Sequence, residues 1–188
     1  MVDFQQAKQN QLSRKDKSNK GCLDKHIKKL CDKINSNKNY YTTSSCSGRI
    51  ILIKSADKKG KKLFLFRTHD KISFNELKKQ LKHIEKSRIK EMVYFKQEPC
   101  ILHVASRSLA DGLKLLMKAR EAGWKRSGMI ASGKRIILEL MSTEHIEMPI
   151  VNKGKILVSD SFLKLLVNEA NNKLARTWQK IKTFEERI

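Results

Sequence analysis

The chain has 188 residues, of which 41 are lysine or arginine and 19 are aspartate or glutamate, so its formal net charge is +22. This length predicts a single domain over residues 1–188, or two closely packed lobes, and such a basic surface favours a polyanion, above all nucleic acid, as the partner. No apolar run reaches the roughly 18 residues of a membrane span and no signal-peptide pattern follows Met1, so we expect no membrane partner and a cytoplasmic location.

The first half of the chain alternates between helical and strand patterns. Residues 3–15 predict a short helix, and apolar residues at helical spacing between Leu23 and Ile34 indicate a second, amphipathic helix. Two strands, joined as a hairpin, are predicted at residues 49–55 and 62–68. Ser73, with Glu76 three residues later, is typical of a helix start. A second pair of strands is predicted at residues 91–96 and 100–105.

The second half predicts one helix, several short strands and a long final helix. Ser108 begins the first of these helices and Gly123 ends it. Its inward residues are expected to be Leu109, Leu113, Leu116 and Met117. Short strands follow at residues 134–141, 147–151 and 155–159, and the last helix begins near Asp160. Pairs of strands between single helices favour an α+β fold, in which helices pack on a mixed or antiparallel sheet built from hairpins.

Two common binding patterns are incomplete in this sequence. Residues 128–134, GMIASGK, match the phosphate-binding pattern G-x-x-x-x-G-K, but Arg135 follows where Ser or Thr is required, and the segment leads into a predicted strand. The G-x-G-x-x-G pattern of dinucleotide-binding folds is also missing. The four cysteines include no C-x-x-C pair, so no metal site is expected.

The segment TTSSCSGRI, residues 42–50, gathers hydroxyls, a thiol and Arg49 before an apolar strand. Such residues often satisfy backbone groups in a turn. They also suit a site for an anionic or zwitterionic ligand, with Arg49 and backbone amides as donors. The residues alone leave both interpretations open. His69 ends a predicted strand, and His103 lies within an apolar one, where a hydrogen-bonded core histidine is more common than a catalyst.

Taken in order, these segments resemble the tRNA wybutosine-synthesising protein 3 family. The resemblance rests on D-x-S-x-K-G-x-x-D at 16–24, TTSSCSGRI at 42–50, T-H at 68–69, E-P-x-x-L-H-V at 98–104, G-x-x-x-S-G at 123–128, S-T and E-x-P within 142–149, and A-N at 170–171. The motifs are collinear over nearly the whole chain, and T-T-S-S-C-x-G-R is the most specific. Met141 departs from the arginine usual in the family, and Lys134 or Arg135 are the cations available to substitute.

The resemblance implies an S-adenosylmethionine-dependent tRNA methyltransferase that lacks the Rossmann-like fold. Family members resemble enzymes that methylate ring nitrogen N4 of the tricyclic wybutosine precursor, at the guanosine 3′ of the anticodon in phenylalanine tRNA. The expected partner is therefore the anticodon stem–loop of that tRNA. The alternative is a non-catalytic basic RNA-binding protein associated with tRNA or the ribosome.

The resemblance also implies roles for individual residues. Those expected to enclose S-adenosylmethionine are Thr43, Ser44, Ser45, Cys46, Ser47, Gly48, Arg49, Ser127, Gly128, Ser142 and Thr143. Arg49 would pair with the methionine carboxylate. Because the ring nitrogen must lose a proton, a base is expected, and its candidates are Asp16, Asp24, His69 and His103, with Asp24 and His103 preferred. RNA contacts are expected from Lys20, Tyr41 and Arg135, with Tyr41 stacking on the extruded base.

Overall fold

The structure is a computed structural model that describes residues 3–14, 24–55, 63–87, 89–133 and 135–188. The chain forms two compact units. Unit 1 consists of Met1–Ser47, Pro99–Thr143 and Thr177–Ile188, and unit 2 consists of Gly48–Glu98 and Glu144–Arg176. No helix in the described ranges is both long enough and apolar enough to cross a membrane.

Helices and antiparallel strands alternate along the chain. In chain order the elements are α1 (Phe4–Leu12), α2 (Lys25–Ser36), β1 (Tyr40–Cys46), β2 (Arg49–Lys54), β3 (Phe64–Thr68), α3 (Phe74–Lys86), β4 (Val93–Glu98), β5 (Ile101–Ser106), α4 (Leu109–Glu121), β6 (Gly128–Ser132), β7 (Ile136–Met141), β8 (Ile146–Asn152), β9 (Lys155–Ile156) and α5 (Asp160–Arg187). The strands form two sheets, ordered β1-β5-β7-β6 and β3-β2-β4-β8-β9, and every strand pair among the described residues is antiparallel. The predicted α+β class is therefore confirmed.

The sheet of unit 1 buries one face beneath helices. Leu102 of β5 and Leu138 of β7 belong to a core cluster that also contains residues of α2, α4 and the last turns of α5. Burial of each such side chain stabilises the unit by about 1.5–3 kcal/mol. Because side chains alternate along a strand, His103, Ala105 and Glu139 lie on the opposite face of the sheet.

The sheet of unit 2 forms the centre of a second group of buried side chains. These come from β2, β4, β8, α3 and the first turns of α5. Asn171 of α5 closes a pair of hydrogen bonds around Ile72, since its Oδ1 accepts from Ile72 N at 3.0 Å and its Nδ2 donates to Ile72 O at 2.8 Å. The A-N motif at 170–171 thus fixes the segment that leads into α3.

The signals for helix ends are confirmed. Ser73 Oγ accepts a hydrogen bond from Glu76 N at 3.1 Å, as a helix N-cap does. Gly123 follows α4 with φ +88°, a conformation that residues with a Cβ rarely adopt, and its N–H donates to Arg120 O at 3.0 Å.

Three predictions about the elements are wrong. The turn interpretation of residues 42–46 is wrong, because these residues belong to β1, whose partner β5 supplies the apolar side of the pair. The predicted second hairpin does not form, because β4 and β5 lie in different sheets. In α4, Leu116 is buried as predicted, but Leu109, Leu113 and Met117 are exposed, and Leu115 is buried beside Leu116. In addition, β6 lies where no strand was predicted.

Candidate functional site

A chain of three polar side chains crosses the open face of the unit 1 sheet. Ser44 of β1 pairs in register with His103 of β5, and His103 pairs with Glu139 of β7. Ser44 Oγ lies 2.7 Å from His103 Nδ1, and His103 Nε2 lies 2.9 Å from Glu139 Oε2. An irregularity of β1 between Thr42 and Ser44 sets this register, because the extra residue turns Ser44 onto the face of His103.

The geometry of this Ser44–His103–Glu139 chain assigns a direction to its hydrogen bonds. A carboxylate only accepts, so His103 Nε2–H donates to Glu139, and His103 Nδ1 accepts from the Ser44 hydroxyl. Ser44 is exposed, while the side chains of His103 and Glu139 are 27% and 34% exposed. A hydroxyl that faces solvent is thus hydrogen-bonded to an imidazole, which is hydrogen-bonded to a carboxylate. This arrangement can accept a proton from a bound molecule.

Asp24, the other preferred base, holds the end of β1. Its carboxylate Oδ2 accepts from the backbone N–H of Ser47 at 3.1 Å and from the Ser47 hydroxyl at 3.3 Å. Ser47 is fully buried. Asp24 immediately precedes α2 but makes no side-chain hydrogen bond that caps this helix. Its carboxylate therefore positions the T-T-S-S-C-S segment of β1.

In unit 2, Arg49 is held by a carboxylate and an aromatic ring. Arg49 Nε donates to Glu98 Oε2 at 2.5 Å, and the guanidinium lies 5.3 Å from the centre of the Phe64 ring. Its two terminal nitrogens make no hydrogen bond to any residue that the structure describes. They remain available to an anionic group.

Gly48 and His69 shape the turn that precedes Arg49. Gly48 has φ +90°, and its carbonyl accepts from His69 Nδ1 at 3.1 Å. His69, a candidate base, therefore uses one ring nitrogen to fix this turn.

Ser127 and Ser142 differ in how their hydroxyls are used. Ser127 Oγ donates to Trp124 O at 2.5 Å and accepts from Met141 N at 3.0 Å, so it joins two segments of unit 1 and has a structural role. Ser142 is fully buried, and its Oγ has no hydrogen-bond partner within the described ranges. A buried hydroxyl in that state is a candidate contact for a ligand.

Thr143 and Gly128 lie near these serines in sequence. Thr143 Oγ1 accepts from Lys180 Nζ at 2.9 Å. Gly128 has open space where a Cβ would lie, so neither packing nor a positive φ requires glycine there.

The residues expected to contact RNA fall in different places. Tyr41 is 1% exposed, and its ring packs against Phe4 of α1 with the centroids 5.2 Å apart. Helix α1 lies against the Tyr41 ring through Phe4, and stacking of this ring on a base stays a prediction. Arg135 is exposed. Asp16 and Lys20 lie outside the described residues.

Glu139 was missed at the sequence level. The available signal was a single carboxylate inside the apolar strand IILELM, where an unpaired charge is costly. Glu98, the partner of Arg49, was seen only as part of the E-P-x-x-L-H-V motif, and its role depends on the pairing of β2 with β4.

The fold and this site define an α+β protein whose polar machinery lies on antiparallel strands, unlike that of a Rossmann-like enzyme. The chain belongs to the family described as Methyltransferase TYW3, whose sequence profile matches residues 5–188. It is therefore a methyltransferase, which requires a methyl donor, and the family resemblance in its motifs is confirmed.

Named relatives and solved structures agree with this assignment. The chain is 39% identical over 172 residues to "tRNA(Phe) 7-((3-amino-3-carboxypropyl)-4-demethylwyosine(37)-N(4))-methyltransferase 1" of Pyrococcus abyssi, covering 90% of this chain and 87% of the relative. It is 35% identical over 189 residues to "tRNA wybutosine-synthesizing protein 3 homolog" of Danio rerio, covering 97% and 73%. The PH1069 protein from Pyrococcus horikoshii superposes with a TM-score of 0.86 at 33% identity, covering 98% of this chain and 95% of that one.

Proposed function

We propose that this chain transfers the methyl group of S-adenosylmethionine to N4 of the tricyclic base 7-(3-amino-3-carboxypropyl)-4-demethylwyosine at position 37 of phenylalanine tRNA. The name of the Pyrococcus abyssi relative, 39% identical, supports this substrate. The observation within the chain that carries the proposal is the hydrogen-bonded Ser44–His103–Glu139 chain, because methylation of a ring nitrogen that bears hydrogen releases a proton.

The proton leaves through residues of this chain. When bound, S-adenosylmethionine supplies a methyl carbon already activated by its sulfonium. The ring N–H passes its proton to Ser44 Oγ as the Ser44 hydroxyl proton moves to His103 Nδ1, and Glu139 stabilises the imidazolium that results. Loss of the proton would leave the ring nitrogen with the electron pair that takes up the methyl group. Alignment of the two substrates and exclusion of water complete the enzyme's task.

Ser142 and Arg49 are two separate candidates for a contact to the cofactor. In unit 1, the buried Ser142 hydroxyl lacks a partner among the described residues and suits a polar atom of the cofactor. In unit 2, the terminal guanidinium nitrogens of Arg49 suit a carboxylate, such as that of the methionine moiety, while Glu98 fixes the guanidinium plane.

A row of lysines on α3 suits the RNA backbone. Lys79, Lys82 and Lys86, which we call the α3 lysine face, are exposed and have no ion-pair partner within the described ranges. At a helical rise of about 1.5 Å per residue they follow one another at about 4.5–6 Å. Lys78 beside them is instead paired with Asp160. Such a row binds phosphates without reading sequence, so it contributes affinity and orientation.

The test combines binding with methyl transfer. Wild-type protein, labelled S-adenosylmethionine and tRNA carrying the demethyl precursor should give labelled tricyclic base. His103→Asn should lower the single-turnover rate by about 100-fold or more and leave the Kd for tRNA unchanged. The matched control is His145→Asn. His145 lies in unit 2, where its ring pairs with the surface carboxylate of Glu147. Tight tRNA binding without any methyl transfer by the wild type would instead support the non-catalytic RNA-binding alternative.

A further inference from the structure

Unit 1 contains a cavity of about 200 Å³ between α1 and the open face of its sheet. Part of its wall is apolar, with Phe4 and Ala7 contributed by α1, Tyr41 by β1 and Ala105 by β5, and the rest includes polar residues. Tyr41 and Ala105 are almost completely buried. The volume is of the order needed for one flat ring system, and the lining offers apolar and aromatic surface to its faces and edges.

The rim of this cavity is strongly basic. Arg107, which follows β5, and Arg135, which precedes β7, both line the opening and are exposed. Neither guanidinium forms an ion pair or a hydrogen bond with any residue that the structure describes. Arginine forms paired hydrogen bonds to phosphate oxygens. A cavity with an aromatic and aliphatic wall, and with two guanidinium groups at its mouth that have no partner among the described residues, therefore matches a nucleotide, which carries a flat base and a phosphate.

The cavity adjoins the proton-accepting chain. Ala105 in its wall lies two residues after His103 on β5, so both side chains are on the same face, about 7 Å apart along the strand. On the neighbouring strand β1, Tyr41 pairs with Ala105 and Ser44 pairs with His103. The cavity wall and the Ser44–His103–Glu139 chain therefore share one face of the unit 1 sheet.

We propose that this cavity receives the base of the nucleotide to be methylated, and that Arg107 and Arg135 bind its phosphate. The proposal rests on the proposed function, and it assigns the substrate-binding site of that reaction. The aromatic and aliphatic part of the wall packs against the base, and the two arginines add an affinity that depends on salt but not on the identity of the base.

The test is a cycle that pairs a change in the RNA with a change in the protein. The probes are the unmodified anticodon stem–loop with guanosine at position 37 and the same RNA with an abasic site there. Loss of one buried base should weaken binding to the wild type by about tenfold. Ala7→Leu, which fills the cavity, should bind both RNAs equally and as weakly as the wild type binds the abasic one. Gln9→Leu, on the exposed side of α1, is the matched control and should keep the full preference for the base.

The arginines are tested with the same intact stem–loop. Arg107→Ala and Arg135→Ala should each weaken binding about five- to tenfold and lower the slope of log K against log salt concentration by about one. Arg126→Ala removes an exposed arginine of unit 1 that does not line the cavity, and it should change neither quantity appreciably.

Several results would overturn the proposal. The first is an equal affinity of the wild type for the intact and abasic RNAs. The second is a preference for the RNA with the base that persists in Ala7→Leu. The third is that Arg107→Ala and Arg135→Ala have the same affinity and salt slope as Arg126→Ala. Ala7→Met, a more flexible substitution, repeats the cavity test, and thermal unfolding identifies a variant that fails to fold. These readouts use binding alone. A wild type that binds the base but transfers no methyl group would refute the proposed reaction and leave the site supported.

Discussion

Replacing Glu139 with glutamine removes one negative charge and nearly preserves the shape of the side chain. In the wild type, Glu139 Oε2 lies 2.9 Å from His103 Nε2. A hydrogen bond to a charged group contributes about 1.5–3 kcal/mol. The two side chains are 27% and 34% exposed, so solvent screening favours the lower end of that range, about 1.5 kcal/mol. Because about 1.4 kcal/mol corresponds to a tenfold change in rate, methyl transfer should slow about tenfold.

The assay for this prediction is single-turnover transfer of a labelled methyl group with saturating tRNA. The loss should appear in the rate constant and not in KM for tRNA, since Glu139 stabilises the protonated imidazole rather than the RNA. Glu121→Gln is the matched control, because Glu121 forms an exposed pair with Arg187 at 3.3 Å in the same unit. A rate for Glu139→Gln within twofold of the wild type, or an equal loss in Glu121→Gln, would refute the role assigned to the Ser44–His103–Glu139 chain.

Four further predictions concern Arg49, Ser127, the buried Cys31 of α2 and the α3 lysine face. Arg49→Lys keeps the charge but loses the planar fork, so calorimetry should find S-adenosylmethionine bound about tenfold more weakly, with tRNA affinity unchanged. Ser127→Ala removes the hydrogen bonds of Ser127 Oγ to the Trp124 carbonyl and from the Met141 N–H, and urea denaturation should show a loss of about 2 kcal/mol in the free energy of unfolding. Burial raises the pKa of the Cys31 thiol from 9.0 to about 11, so the unfolded chain loses this proton at a lower pH than the folded chain. The free energy of unfolding should therefore fall between these pH values, and more steeply in the wild type than in Cys31→Ala. Denaturation measured across that pH range tests this. Glutamine at all three positions of the α3 lysine face should reduce the salt slope of tRNA binding by about three, and an unchanged slope would exclude this face from the interface.

The sequence predicted the helices and the β2–β3 hairpin well because their signals are local. The apolar period of α2, the Ser73 cap and the Gly123 end each lie within a few residues of the structure that they specify. By contrast, β1 consists largely of polar residues and resembles a turn. It becomes a strand by pairing with β5, about sixty residues away in sequence, and no local pattern reports that pairing.

The candidate site was predicted residue by residue but not as an arrangement. Ser44 and His103 were both candidates on the basis of family resemblance, yet their contact depends on the irregular register between β1 and β5. Glu139 joins them only because β7 follows β5 in the sheet. Ser127 shows the opposite outcome, since a motif position expected near the cofactor uses its hydroxyl to hold the backbone together.

The most direct test of the proposed function is to locate the transferred methyl group. Purified wild-type protein, S-adenosylmethionine with an isotopically labelled methyl group and phenylalanine tRNA carrying the demethyl precursor are incubated together, and the nucleosides are then analysed by mass spectrometry. We expect one labelled methyl group on N4 of the tricyclic base and none on tRNA in which that nitrogen is already methylated. Label on another nucleoside, or tRNA binding with no label on the tricycle, would contradict the proposed reaction.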